Sequence, residues 1–341
     1  MTDKISDELA AGDDPVTTGQ LSHRYLRLSL ALVVLTLFVG VGVQIVRSGG
    51  EWMPSISHYF YTPAHNIFVA SLISASLALV VLAGRDLETV FLDIAAIFAP
   101  LIALVPTGIS PELLTQITGE QVEMGPCDPN GNCVPVANME AIYNGVITYT
   151  IVVGCVVVLT LWVRRDTIRM LWATRGDDGY DGHRAWAVWS LLAAPLVAIV
   201  VAIVLNLAAF VAPINEGFPF NPWLRLSVHF TATILFFGAF TIVPVINFFR
   251  YVGERKKDAK DSEPGGRPPT KTRYAIIYAL VPALMIADII LLVLIVRSDA
   301  EGPGVLLCEA IALALFGVFW VAQTIQWWKE WNPPHLAATS S

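Results

Sequence analysis

Charge is what this chain has least of. Only 14% of its 341 residues are Asp, Glu, Lys or Arg, where soluble domains carry about a quarter. Nucleotide and hydrolase signatures are also missing: there is no Walker A loop, HExxH, GxSxG or CxxC pair, and no GxGxxG after a strand. Their absence argues against nucleotide-driven transport by this chain alone and against the common hydrolases. Neither a cofactor nor a bound metal is expected, and no nucleic-acid partner. Cysteine is scarce, with four in all. Cys127 and Cys133 bracket the segment CDPNGNC, where Pro129, Asn130 and Gly131 favour a tight turn. In an oxidising compartment these two cysteines are expected to close a small disulfide loop. Cys155 and Cys308 fall within apolar runs and read as small apolar residues.

Apolar residues take the place of charge. The chain is 55% hydrophobic, with a mean hydropathy of +0.62. Nearly uncharged runs long enough to cross a bilayer recur along it. The expected fold is all-α, a polytopic transmembrane bundle of about eight spans near 26–46, 66–84, 89–108, 143–163, 186–212, 227–249, 274–296 and 306–326. With eight spans, 18 of the 21 Lys and Arg residues fall on one side; Arg47, Arg225 and Arg297 lie opposite. The positive-inside rule then places both termini in the cytoplasm and the chain in the plasma membrane. A polar tail covers 1–25 and reads as uncleaved. Spans 1–6 fill 26–249, a basic linker 250–273, spans 7 and 8 274–326, and a tail 327–341. Membrane lipids are the partners this organisation implies. Asp177, Asp181 and Gly182 sit at offsets suggestive of a calcium loop, but Gly179 occupies a ligand position and the closing Glu is absent, so a solvated turn is the better reading.

Asp288 is the costliest residue in this arrangement. It lies within the run 274–296, roughly 13 Å below the outer surface at a rise of ~1.5 Å per residue. A carboxylate there needs a partner, water or a proton. The topology puts His229 and Glu309 near the outer ends of spans 6 and 8. The first outer loop brings Ser55, Ser57, His58, Tyr59, His65 and Asn66 to the same level. Helical spacing aligns His229, Thr233, Phe236, Phe240, Pro244 and Asn247 on one face of span 6. Tyr274, Tyr278, Met285 and Asp288 form a stripe on span 7, and Glu309, Leu313, Phe316, Trp320 and Gln323 one on span 8. These faces are expected to turn inward around an outward-facing polar pocket, with His229, Asp288, Glu309 and the first-loop residues as its binding groups.

The same residues carry a resemblance. The chain resembles an uncharacterised bacterial multi-pass membrane family whose first outer loop reads Ser-Ile-Ser-x-Tyr-Tyr, matched by Ser55, Ile56, Ser57, Tyr59 and Phe60. Asp86, Pro106 with Thr107, His229 with Phe230, Phe236 with Phe237, and Glu309 followed by Phe316, Gly317 and Trp320 continue it in order. Thr324 and Ile325 depart from that family's usual Lys-Gly ending. Its activity is unknown, so the resemblance implies a residue list and no chemistry. Three readings follow: binding or transport of a small molecule, ion or lipid headgroup; an intramembrane metal-assisted lipid hydrolase drawing ligands from His58, His65, His229, Asp288 and Glu309; and a non-catalytic accessory subunit.

Overall fold

A computed structural model describes residues 18–82, 87–163, 165, 194–204, 206, 217–221, 226–261, 272–298 and 303–328. Its helices are α1 (Thr18–Arg47), α2 (His65–Leu82), α3 (Leu87–Leu104), α4 (Pro111–Thr118), α5 (Val136–Val163), α6 (Ala194–Val204), α7 (Val228–Asp261), α8 (Thr272–Arg297) and α9 (Gly304–Trp328). A 3-10 helix, Ile56–Tyr61, occupies the first loop. Two short antiparallel hairpins join these helices: β1 (Met124–Cys127) with β2 (Cys133–Pro135), and β3 (Phe220–Asn221) with β4 (Leu226–Ser227). The chain is thus mostly helical. Among the described residues six helices are long and apolar enough to cross a membrane: α1, α2, α5, α7, α8 and α9. The suggested calcium loop, Asp86 and Arg225 lie outside the described residues. The stretch expected to be a linker from residue 250 begins as helix, because α7 continues to Asp261.

Six helices close into a ring in the order α1, α2, α3, α7, α8, α9 and back to α1. Sequence neighbours in the ring are antiparallel, as short connections require. Small residues let the helices approach closely, which drives helix association where lipid is as apolar as the side chains. A Cβ on Gly40 of α1 would sit 2.6 Å from Ile67 of α2, and one on Gly317 of α9 would sit 3.5 Å from Val34 of α1. Proline supplies a second device. Pro100, inside α3, lacks the N–H that would bond the carbonyl of Ala96. The Ser76 hydroxyl of α2 takes that carbonyl instead, at 2.7 Å.

The expected faces are buried. Thr233, Phe236, Phe240 and Asn247 of α7, Tyr278 and Met285 of α8, and Phe316, Trp320 and Gln323 of α9 all turn into the ring. Their aromatic members interlock at mid-height. The Phe240 ring lies 4.5 Å from Phe316, 5.4 Å from Phe319 and 6.3 Å from Trp320, mostly tilted or edge-on. These are the arrangements the ring quadrupole favours. The β1–β2 hairpin carries the expected turn. The Asp128 carboxylate accepts from the N–H groups of Asn130 and Asn132, Gly131 takes the positive φ the turn needs, and the Cys127 and Cys133 sulfurs lie at bonding distance.

Candidate functional site

The site starts where α3 stops. Pro106 cannot continue a helix, and it pushes Val105 towards extended backbone. The carbonyls of the extended segment just past α3 have no helical partner, and here side chains from two other segments bond those of Val105, Thr107 and Gly108. The His229 imidazole at the start of α7 places Nδ1 2.7 Å from the Val105 carbonyl oxygen. The Tyr61 hydroxyl donates to Thr107 O at 2.7 Å, and His58 Nε2 lies 3.0 Å from Gly108 O. A carbonyl can only accept, so His229 Nδ1 and His58 Nε2 each carry hydrogen. That assigns both tautomers, and each opposite ring nitrogen is free to accept from a serine. Ser55 Oγ lies 2.7 Å from His58 Nδ1, and Ser57 Oγ lies 2.7 Å from His229 Nε2.

Ser57 is the junction. Its hydroxyl is also 3.0 Å from Glu309 Oε1, in the second turn of α9, while the Ile56 N–H donates to Glu309 Oε2. One serine of the first loop therefore joins helices α7 and α9. Ser57 and His229 are 5% and 4% exposed, so the bond between them is out of reach of bulk water, while Glu309 at the other end of the chain is half-buried. A serine has one hydroxyl hydrogen and cannot donate to both neighbours. Two arrangements with the same number of hydrogens fit the heavy-atom positions. In one, a protonated Glu309 donates to Ser57, and Ser57 donates to neutral His229. In the other, doubly protonated His229 donates to Ser57, and Ser57 donates to the Glu309 carboxylate. The two differ by moving protons along the chain, which makes Ser57 a relay.

The expected constellation is brought together in part. His229, Glu309 and Ser57 meet, and Ser55 and His58 form a parallel pair beside them. Tyr59 is fully buried beneath the loop, where burial pushes its phenol above the ordinary value. His65 turns away: Nδ1 donates to Phe60 O at 2.8 Å and the ring packs edge-on against Phe60. Asn66 is exposed. Asp288 is not brought into the chain. It is 6% exposed and neighbours Cys308 of α9, one residue and about 100° of helix away from Glu309. Its Oδ1 is buried with no hydrogen-bond partner. The polar groups hydrogen-bond one another directly. Two clefts adjoin the first loop: one between α1 and the start of α2, whose largely apolar wall includes Thr36, Gln44 and Arg47, and one between Trp52–Pro54 and the start of α9, lined by apolar side chains. Among the described residues no three His, Cys, Asp or Glu side chains converge on a metal position. The metal-assisted reading therefore has no ligand set there.

Five participants escape sequence reading: Tyr61, the Ile56 amide, and the carbonyls of Val105, Thr107 and Gly108. The usable signal is Pro106, because a proline ending an apolar run marks carbonyls in need of donors.

His58 gives the site a pH dependence. Desolvation lowers its imidazole from 6.5 to about 4, against the opposing effect of the Gly108 carbonyl, and nearby His229 lowers it further. The folded form thus binds this proton less readily than the unfolded chain. Stability from neutral His58 is complete above pH 6.5 and is lost as pH falls towards about 4. The melting temperature of the purified protein, followed from pH 8 to 4, is expected to drop across that window. His58→Gln should flatten the drop; an unchanged profile shows that another group controls it.

No family model, curated protein or solved structure matches this chain. The fold and site define its class without them: a membrane-embedded helical bundle with a Glu–Ser–His chain linking its first loop to α7 and α9.

Proposed function

We propose that this is a multi-pass plasma-membrane protein, with about eight spans and both termini inside, which binds or transports a small molecule, ion or lipid headgroup at its outer end. The Lys and Arg asymmetry supports the orientation; α3 and the shorter α6 (Ala194–Val204) overlap the two further stretches read as spans beyond the six helices long and apolar enough to cross. The observation that carries the reading is Ser57 Oγ held between His229 Nε2 and Glu309 Oε1. To open the outer end, the first loop must leave α9, and each bond to Glu309 breaks as it does. A proton added to or taken from this relay changes which bonds it can make, so proton movement and opening are linked. The relay acts as a latch.

The test uses purified protein in nanodiscs and a panel of amines, inorganic cations and headgroup analogues. At least one compound should raise the wild-type melting temperature. Glu309→Gln, which keeps one carbonyl oxygen for the Ile56 N–H, turns an amide NH2 to Ser57 and cannot exchange a proton, should abolish that rise or its pH dependence. Full retention of ligand stabilisation and its pH dependence in Glu309→Gln, Ser57→Ala and His229→Gln together overturns the latch.

One observation favours a second reading. Ser57 and His229 at 2.7 Å, with the far imidazole nitrogen fixed on Val105, have the geometry of a nucleophile and its base. Against it, Glu309 already occupies Ser57 and the neighbouring Ile56 amide, where an oxyanion would need donors. Fluorophosphonate labelling of Ser57 that vanishes in His229→Ala would establish acyl transfer in place of transport.

A further inference from the structure

The segment that carries Ser57 and the helix that carries Glu309 are zipped together just outside the site. The Leu306 N–H donates to Pro54 O at 2.9 Å, one turn before the Glu309 contacts. On the outer side of this zip lies a cleft of about 580 Å³ walled by Trp52, Met53, Pro54, Pro303, Leu306 and Leu307. The described residues of its walls include no charged side chain, and Trp52 and Leu307 are 63% and 54% exposed. Pro54 is three residues from Ser57 in the chain, and Leu306 lies three residues from Glu309 on the same helix face. Separating the zip would therefore make the apolar cleft and the polar chain one continuous site.

The chemistry of the two ends selects the occupant. Opening releases the Ile56 N–H from Glu309 and the Leu306 N–H from Pro54 O, two neutral donors, while the Leu307 N–H stays on Pro303 O within α9. What an incoming head would meet is the Glu309 carboxyl, the Ser57 hydroxyl and an imidazole nitrogen, which together favour a donor. Glu51, next to Trp52 in the chain, is an exposed carboxylate that adds to the same preference. Resting on the outer-end binding reading above, we infer that the ligand is a single-chain amphiphile with a protonated amine head. Its chain lies in the Trp52–Leu307 cleft, and its ammonium takes the Glu309 and Ser57 positions that the latch vacates.

The experiment uses the full chain in nanodiscs and two photoreactive probes, a twelve-carbon diazirine alkylamine and the matching alkanoic acid. Adducts are mapped by mass spectrometry. The amine should label the peptides holding Trp52–Pro54 and Pro303–Leu307. Loss of one charge-assisted hydrogen bond is worth about 1.5–3 kcal/mol, so the acid, and the amine on Glu309→Gln, should label about tenfold less or weaker still. Leu307→Trp should block the amine while leaving the melting temperature near wild type. Equal labelling by both probes, or undiminished amine labelling of Glu309→Gln, overturns the choice of head. Labelling no stronger in this cleft than in the one between α1 and α2 reduces the signal to general lipid contact and overturns the site. The His229→Gln variant separates this inference from the latch. Amine labelling that survives there but fails in Glu309→Gln supports the amphiphile site even where ligand stabilisation has lost its pH dependence on the relay.

Discussion

His229→Ala is expected to destabilise the folded protein by about 2–5 kcal/mol, among the largest effects of any single polar substitution in it. Two buried groups lose their partner at once. The Val105 carbonyl loses the donor it depends on at a helix end, and the Ser57 hydroxyl loses one of its two neighbours. Each unsatisfied buried group costs about 1–3 kcal/mol, and water cannot easily enter to replace the ring. Ser57→Ala should cost a comparable amount, because it leaves His229 Nε2 and Glu309 Oε1 without their shared partner. The double variant should fall well short of the sum, since both changes break one network. Thermal and denaturant unfolding in nanodiscs or mild detergent measure this. A loss under about 0.5 kcal/mol, the range of an ordinary surface substitution, would show that the chain is not coupled to folding.

Phe240→Ala is the second large effect, a loss of about 2–4 kcal/mol. Phe240 is fully buried, and its ring meets Phe316, Phe319 and Trp320. In a water-soluble protein, truncating such a phenylalanine costs about 3–5 kcal/mol, part for transfer and part for the cavity. In a bilayer the transfer part shrinks, because the helix is surrounded by hydrocarbon before and after packing. The cavity part stays: the lost contacts lie inside the ring, where lipid chains do not reach. Phe249→Ala is the control, since Phe249 is on the same helix but 67% exposed. It should change stability by less than about 0.5 kcal/mol. Equal effects at the two positions would mean that the ring interior is loosely packed.

The apolar faces were legible in the sequence because helix geometry is local. Positions three and four apart share a face whatever surrounds the helix, so His229, Thr233, Phe236, Phe240 and Asn247 could be grouped before any partner was known. The turn at Asp128–Asn132 was legible for a similar reason, since Asn and Gly have their own backbone preferences. Depth in the membrane was a poorer guide. Asp288, His229 and Glu309 share one side, yet depth does not fix rotation about a helix axis. A single residue separates Cys308, which meets Asp288, from Glu309, which meets Ser57. That one step turns the side chain to a different neighbour.

The sequence by itself determined a helical membrane bundle, the inward faces of its helices and the residue types worth watching, because hydrophobicity and helical period act over a few residues. Only the tertiary structure decided the ring order, the pairing of Ser57 with both His229 and Glu309 across more than 170 residues of chain, and the exclusion of Asp288 from that group. The physical reason is hydrogen-bond satisfaction. Which buried donor meets which buried acceptor depends on where Pro106 ends α3 and how the first loop lies over it, and both are settled by packing among helices far apart in sequence.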